Sequence, residues 1–171
     1  MMSILQIIEA PNPVLRKSAK KVESWNADLE KLAADMAETM YAAPGVGLAA
    51  NQVNVLKQLL VVDVSPRDQA KKLLVLVNPV IVEADGLEEM EEGCLSLPEF
   101  RLVVGRSGKV KVQAKNLKGE DIQLWAEGLL ARALQHEIDH LNGRLLLDYA
   151  SPIRRELYLR KRKKLLKSAK R

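Results

Sequence analysis

The chain has 171 residues, the size of one domain, and carries 27 Lys or Arg against 22 Asp or Glu. Its 47% hydrophobic and 29% charged residues are ordinary for a globular protein and argue against long disorder. A single cysteine excludes an internal disulfide, the first residues lack a signal-peptide pattern, and no apolar run is long enough to cross a bilayer. We therefore expect a cytoplasmic protein that makes no membrane contact, and we expect a monomer.

The positive charge is concentrated at the C-terminus. Residues 154–171 hold ten Lys or Arg against one acid (+9), which leaves 17 bases and 21 acids in residues 1–153 (−4). A block of like charge at a terminus commonly docks on a polyanion, because phosphates attract it strongly. The alternative is a solvated helix that only aids solubility. We divide the chain into a body, residues 1–153, and a basic helical extension, residues 154–171.

The first predicted helix of the body spans residues 26–42. Asn26 can cap its N-terminus, and apolar residues recur along it at helical spacing. Pro44 disfavours helical geometry at Ala43, so the helix ends there. The next segment, GVGLAANQ at residues 45–52, by itself predicts a turn before a strand.

Strands dominate the middle of the chain, and helices return at its end. The strand-like runs are residues 58–64, 73–77, 79–84, 101–104, 109–115 and 121–125. The pattern returns to helix at residues 127–142, with Gly143 as the stop, and a basic terminal helix follows. This order predicts an α+β domain in which antiparallel strands pack around a central helix, with an N-terminal helix and a C-terminal basic helix.

The predicted central helix contains the pattern His-Glu-x-x-His at residues 136–140. Residues four apart lie on one face of a helix, so His136 and His140 can converge on one metal ion while Glu137 reaches a water bound there. These are the only two histidines of the chain. The alternative is a pair of ordinary histidines on the helix surface.

Cys94 is the candidate for a third metal ligand. A hydrolytic zinc-type site needs three protein ligands and one open position. Gly93 permits unusual backbone angles before the cysteine, and Pro98 is expected to end any regular element after it. A free cysteine is most often a small buried hydrophobe. Beside two histidines, however, a thiolate ligand is the better interpretation, although a carboxylate could also complete the set.

The GVGLAANQ segment offers backbone and side-chain groups to a ligand. Gly45 and Gly47 let the backbone pass close to a bound molecule, and Gln52 supplies an amide donor. The segment lacks the Gly-Lys-Ser/Thr ending of a phosphate-binding loop.

Together, the three segments resemble the peptide deformylase family. Its motifs Gly-apolar-Gly-apolar-Ala-Ala-x-Gln, Glu-Gly-Cys-Leu-Ser and Gln-His-Glu-apolar-Asp-His occur here in order as GVGLAANQ, EGCLS and QHEIDH. The likeness covers essentially the whole chain, including an opening strand with Pro13 to Arg16, Arg101 and Arg106, and the basic terminal helix. It implies an enzyme that hydrolyses the formyl group from N-formylmethionyl peptides as nascent chains emerge.

The resemblance also implies a role for each site residue. Cys94, His136 and His140 would bind one divalent metal ion, and Glu137 would act as general base and then general acid. The amide of Gln52 and the backbone N–H of Leu95 would face the charge that develops on the formyl oxygen. The expected substrate contacts are Val46, Gly47, Gly93, Arg101, Arg132 and Ala133, and an ion pair between Glu92 and Arg106 would brace the cysteine turn.

The ligand chemistry and the family resemblance predict different metals. Two imidazoles and a thiolate suggest zinc, whereas the resemblance favours Fe(II). Zinc, nickel or cobalt could occupy a purified sample.

Arg132 departs from the family pattern, which usually places an aliphatic residue on the wall of the methionine pocket. A guanidinium there would narrow the pocket or bind an acidic group, which predicts an altered side-chain preference. The alternative is that its stem covers the wall while its head reaches water.

Two other functions fit parts of the sequence. A zinc endopeptidase would use the same helix, but the chain lacks the downstream His or Glu pattern that completes such sites. A ribosome- or RNA-binding module with a structural metal would rely on residues 154–171. For a deformylase, residues 1–153 form the catalytic domain, and residues 154–171 are expected to dock on the ribosome.

Overall fold

The computed structural model describes residues 2–170 and has an α+β fold, as predicted. Its helices are α1 (Ala27–Ala42), α2 (Gly128–Leu141) and α3 (Pro152–Ala169). Its strands are β1 (Gly47–Ala49), β2 (Leu59–Val62), β3 (Leu74–Asp85), β4 (Glu88–Cys94), β5 (Leu97–Arg106), β6 (Lys109–Lys115) and β7 (Asp121–Glu127). Short 3₁₀ turns occur at Pro13–Arg16, Ala50–Val53 and Leu146–Tyr149.

The strands form two separate antiparallel sheets. The larger has five strands in the order β1-β2-β3-β6-β7, and the smaller is a two-stranded ribbon of β4 and β5. Strand β1 is the first strand of the larger sheet, so within residues 2–170 no strand lies beside its outer edge. Among the described residues, none of the helices combines the length and hydropathy needed to span a bilayer.

Helix α1 forms where local signals predict it. The Asn26 side chain accepts a hydrogen bond from the Leu29 backbone N–H at 3.0 Å and so caps the N-terminus. The buried face of α1, including Met36 and Met40, packs against apolar residues of β1 and β2. The helix ends at Ala42, two residues before Pro44, because the proline ring excludes a further helical turn.

Helix α2 is the central element of the domain. Its apolar residues Ala131, Leu134, Ile138 and Leu141 are buried against the five-stranded sheet. Gly143 follows its C-terminus with a φ of 75°, in the left-handed region that favours glycine. The central position of the predicted helix is therefore confirmed.

Helix α3 is held to the body by side chains that lie along one of its faces. The Tyr158 hydroxyl donates to the Pro98 carbonyl at 2.8 Å, and the Arg162 Nε donates to the Ala10 carbonyl at 3.1 Å. The Tyr158 ring also packs on Phe100, with centroids 5.0 Å apart. None of the helix residues Pro152–Ala169 is fully buried, so most of its basic side chains face solvent.

Two sequence predictions about the early and middle chain are wrong. Residues Pro13–Arg16 form a 3₁₀ helix rather than a strand, because Asn12 caps the segment and Pro13 is fixed at its first position. The runs 73–77 and 79–84 are not separate strands, because one continuous strand, β3, runs from Leu74 to Asp85. Asn78 continues the strand with a φ of 52°, and its side-chain amide bonds both backbone groups of Val22.

The ribbon also differs from expectation. Strand β4 was not predicted, since its sequence EEMEEGC has little strand propensity and gains its pairing from β5. Pro98 was expected to end a regular element but lies inside β5. It is tolerated because the register shifts between Gly93 and Cys94, which leaves Pro98, Glu99 and Phe100 without a partner in the ladder.

Candidate metal centre and substrate pocket

Cys94, His136 and His140 converge in the structure. One ligand atom from each lies within 4.8 Å of the others, and Cys94 Sγ is 3.3 Å from His140 Nε2. Ligands about 2.3 Å (sulfur) and 2.0 Å (nitrogen) from a tetrahedral ion stand roughly 3.5 Å apart. The three side chains therefore have the donor chemistry of a metal site, and the distance between Cys94 Sγ and His140 Nε2 is close to that expected for two ligands of one ion.

The cluster forms where the ribbon meets helix α2. Cys94 is the last residue of β4, at the register shift that opens the turn into β5. His136 and His140 lie one turn apart on α2, with ring centroids 5.1 Å apart. The site thus joins two units that are distant in sequence, and its geometry depends on how the ribbon is held against the helix.

Glu92 connects these two units. Its buried carboxylate accepts hydrogen bonds from Arg106 Nε at 2.6 Å and Nη2 at 3.0 Å, as predicted, and it lies 2.9 Å from His136 Nδ1. Burial alone would raise the pKa of Glu92, but the hydrogen bonds with His136 and Arg106 lower it to about 2. A carboxylate behind a ligating imidazole fixes the orientation of its ring.

Glu137, the residue after His136 on α2, lies against strand β1. A Cβ atom placed on Gly47 would lie only 2.7 Å from Glu137 Oε1, so the two elements are in close contact. Burial raises the pKa of Glu137 to about 7, and its Oε2 has no hydrogen-bond partner among residues 2–170. A carboxyl group with a pKa near neutrality suits proton transfer in both directions.

Gln52 reaches the cluster from the 3₁₀ turn after β1. Its Oε1 accepts from the Ala49 backbone N–H at 3.0 Å, while its Nε2 donates to Ser96 Oγ at 3.0 Å and lies 3.9 Å from Cys94 Sγ. Gln52 is buried, and these contacts fix its donor beside the candidate metal ligands. Leu95, which follows Cys94 in the turn, is half-buried.

Ser96 was not singled out from the sequence, although it lies within the EGCLS motif. Its side chain is fully buried and accepts the hydrogen bond that orients Gln52. Nothing in the local pattern distinguishes it from an ordinary turn serine, because its partner lies 44 positions away in the chain.

A cavity of about 500 Å³ opens over the cluster. It lies between β1, the ribbon and α2, and two exposed apolar residues not expected from the sequence, Met90 and Leu129, lie at its wall. All of the expected substrate contacts line it: Val46, Gly47, Gly93, Arg101, Arg132 and Ala133. The predicted residues are therefore brought together around one pocket.

The arginines of the pocket differ in environment. Arg101 is largely exposed and pairs with Glu91 at 2.7 Å. Arg132 is only 5% exposed, and its guanidinium donates to Glu92, to the Val104 carbonyl and to the Glu88 carbonyl. The alternative in which the head of Arg132 reaches water is therefore wrong, because the head is buried among protein acceptors.

Comparison with known proteins gives a consistent result. The family model described as polypeptide deformylase matches residues 4–156. The peptide deformylase of Thermodesulfovibrio yellowstonii is 52% identical over 94% of this chain and 97% of its own length. The peptide deformylase of Syntrophobacter fumaroxidans is 50% identical over 98% of this chain and 99% of its own length.

Solved structures extend the comparison to three dimensions. A peptide deformylase from Legionella pneumophila has a TM-score of 0.89 and 44% identity, covering 99% of both chains. The enzyme from Ehrlichia chaffeensis in complex with actinonin has a TM-score of 0.90 and 38% identity, covering 95% of this chain and 98% of that one.

Proposed function

Because the chain belongs to the peptide deformylase family, we propose that Cys94, His136 and His140 bind one divalent metal ion, beside which Glu137, Gln52 and Leu95 carry out the reaction. The family removes the N-formyl group from nascent chains, and hydrolysis of N-formylmethionine peptides is the function of this chain. The observation that carries the assignment of residues is the convergence of a sulfur and two imidazoles under the pocket.

The donor set supports a metal but does not distinguish between metals. Peptide deformylases are metalloenzymes, and the resemblance favours Fe(II), whereas a thiolate and two imidazoles also suit zinc, nickel or cobalt. A divalent ion held there would supply Lewis-acid chemistry and would lower the pKa of water towards neutrality.

Glu137 is the proposed proton carrier. As the general base it removes a proton from the attacking water, and as the general acid it returns that proton to the departing amine nitrogen of methionine. Its burial beside Gly47 supports this role, since a raised pKa lets the same carboxyl group accept and release a proton near neutral pH.

Gln52 and Leu95 are the proposed donors to the formyl oxygen. Negative charge builds on that oxygen during attack, and preorganised N–H groups lower the barrier most effectively there. The hydrogen bonds of Gln52 to Ala49 and Ser96 support such preorganisation. One donor of this kind typically contributes about 3 kcal/mol, which corresponds to roughly a hundredfold in rate.

The substrate peptide is proposed to bind as an added strand. Among residues 2–170 no strand lies beside the outer edge of β1. Gly47 of that edge and the preceding Val46 line one wall of the cavity, while Gly93 and Arg101 of the ribbon line the other. The buried end of Arg132 leaves its aliphatic stem to border the methionine side chain with Ala133. An effect of Arg132 on side-chain preference would then act through the shape of the pocket.

The basic extension, residues 154–171, is proposed to dock on the ribosome. Its exposed cationic surface on α3 supports attraction to ribosomal RNA phosphates. A cytoplasmic location and a monomeric state complete the proposal. The family match favours this function over a zinc endopeptidase, and a casein digestion assay would reveal that activity directly.

Formate release from a formyl-methionyl peptide tests the assignment. The metal-loaded protein should release formate, and Glu137→Gln should lower kcat by about 10²- to 10⁴-fold while the protein keeps its metal. Loss of the metal from Cys94→Ser provides the matched control for the ligand set. Unchanged turnover in Glu137→Gln, or full metal binding by Cys94→Ser, would contradict the proposed roles.

A further inference from the structure

Arg132 is a buried arginine on helix α2, four residues before His136. Its Nη1 donates hydrogen bonds to the Glu92 carboxylate and, at 2.9 Å, to the Val104 carbonyl. Its Nη2 donates a hydrogen bond to the Glu88 carbonyl at 2.6 Å. All three acceptors belong to the β4–β5 ribbon, which carries Cys94. One side chain of the helix that carries the histidines is thus hydrogen-bonded to both strands of the ribbon that carries the cysteine.

Arg132 adds a second guanidinium group to the ion pairs around Glu92. These ion pairs join two carboxylates, the buried Glu92 and the partly exposed Asp139, to two buried guanidinium groups, Arg106 and Arg132. Arg106 contacts both carboxylates, at 2.6 Å and 3.0 Å, so Arg132 is the second cation that matches them. An unmatched charge in a buried network is costly, and the network rearranges or admits water when one partner is removed.

The Glu92 carboxylate is in direct contact with His136, one of the candidate metal ligands. Glu92 Oε1 lies 2.9 Å from His136 Nδ1, while Glu92 Oε2 accepts hydrogen bonds from Arg106 and Arg132. A shift of the carboxylate would therefore turn the His136 ring, and a shift of the ribbon would move Cys94 Sγ relative to both histidines. A metal site tolerates errors of only about 0.5 Å in its ligand positions.

We propose that Arg132 is a positioning residue for the metal centre, holding Glu92 and the ribbon so that Cys94 and His136 stay in register for the ion. The proposal rests on the metal ligands assigned under Proposed function. It differs from a role in the methionine pocket, because only the stem of Arg132 is needed to line that wall, whereas the guanidinium is needed to position the ligands.

The test compares Arg132→Met, which keeps an unbranched apolar stem, with Arg132→Lys, which keeps a single positive charge. Arg160→Met, on the exposed face of α3, is the matched control. Each zinc-loaded protein is mixed with a chromophoric chelator to measure the zinc dissociation constant and release rate. The visible spectrum of the cobalt(II)-substituted protein then reports the ligand geometry, and KM and kcat are measured on a formyl-methionyl peptide.

We expect Arg132→Met to bind zinc about ten- to hundredfold more weakly, with an altered cobalt spectrum and a KM within twofold of the parent. Arg132→Lys should recover part of the loss, since an ammonium cannot reach three acceptors with the geometry of a guanidinium. If Arg132→Met does not fold, the same measurements on Arg132→Lys decide the question, with an expected loss of at least threefold.

Parent-like zinc affinity and cobalt spectrum in the folded variants would overturn the proposal, as would a change confined to KM. Full zinc affinity in the Cys94→Ser protein would instead show that the ligand assignment itself is wrong, and this inference would fall with it.

Discussion

The close contact between Gly47 and Glu137 gives a sharp test of the proposed proton carrier. In Gly47→Ala the new Cβ would lie 2.7 Å from Glu137 Oε1 and 2.9 Å from its Cγ, about 0.7 Å inside the 3.4 Å at which ordinary contact begins. Glu137 is buried at the base of the cavity, so its carboxylate has little room to move without leaving its present position. It must be displaced within the site by a large fraction of an ångström.

Displacement on this scale should act on the chemical step. A misplacement of about 1 Å can cost a hundredfold in rate, so we expect kcat to fall ten- to hundredfold, which corresponds to about 1.4–2.7 kcal/mol of barrier. The metal content should not change, because the three atoms nearest to the new methyl group all belong to Glu137, which is not one of the proposed metal ligands. Formate release at saturating peptide, together with metal analysis of the same sample, measures both quantities.

Gly108→Ala is the matched control for this change. Its Cβ would approach Glu88 Oε1 equally closely, at 2.8 Å, but Glu88 is exposed and can move away. The control should therefore keep parent-like turnover. If Gly47→Ala also keeps kcat within threefold of the parent, Glu137 is not positioned by this contact and the reasoning fails.

The other predictions concern stability and partner binding. Gly143→Ala should lower the free energy of unfolding by at least about 2 kcal/mol, because the φ of 75° is combined with a Cβ only 2.5 Å from the Arg16 carbonyl oxygen. In Gly86→Ala, the control, φ is 74° but no atom lies closer than 3.8 Å to the new Cβ, so the free energy of unfolding should fall by only about 1 kcal/mol. Equal losses in the two variants, measured by urea denaturation, would exclude the steric contribution at Gly143. Reversing the charge of the exposed Lys163, Lys164 and Lys167 on α3 should weaken ribosome binding and reduce its dependence on salt, while activity on small peptides is preserved. Cosedimentation at several salt concentrations measures this, and unchanged binding would show that the extension does not dock through these charges.

The parts of the fold that sequence analysis predicted well depend on local signals. The Asn26 cap and Pro44 set the limits of α1, and the four-residue spacing of His136 and His140 places both rings on one face of α2. The convergence of Cys94 on these histidines is long-range, yet it could be predicted because the chain has no other cysteine or histidine to complete the set.

The parts that were missed depend on pairing between distant segments. The glutamates of β4 give no strand signal by themselves, and the strand exists because β5 provides its hydrogen-bond partners. The environment of Arg132 follows from that same ribbon, since two of its acceptors are the backbone carbonyls of Glu88 and Val104. A sequence pattern on α2 places Arg132 on the correct face of the helix but cannot show that a buried carboxylate stands opposite it.

The candidate site is divided between two structural units, the five-stranded sheet with α2 and the β4–β5 ribbon. The five-stranded sheet with α2 supplies the histidines, Glu137 and the free edge of β1, while the ribbon supplies Cys94 and the opposite wall of the cavity. A peptide lying between β1 and the ribbon would contact both units, and so would a metal ion held by Cys94, His136 and His140. Metal binding and peptide binding should therefore each stabilise the same placement of the ribbon against the sheet, because each gains contacts only when the two units are correctly placed.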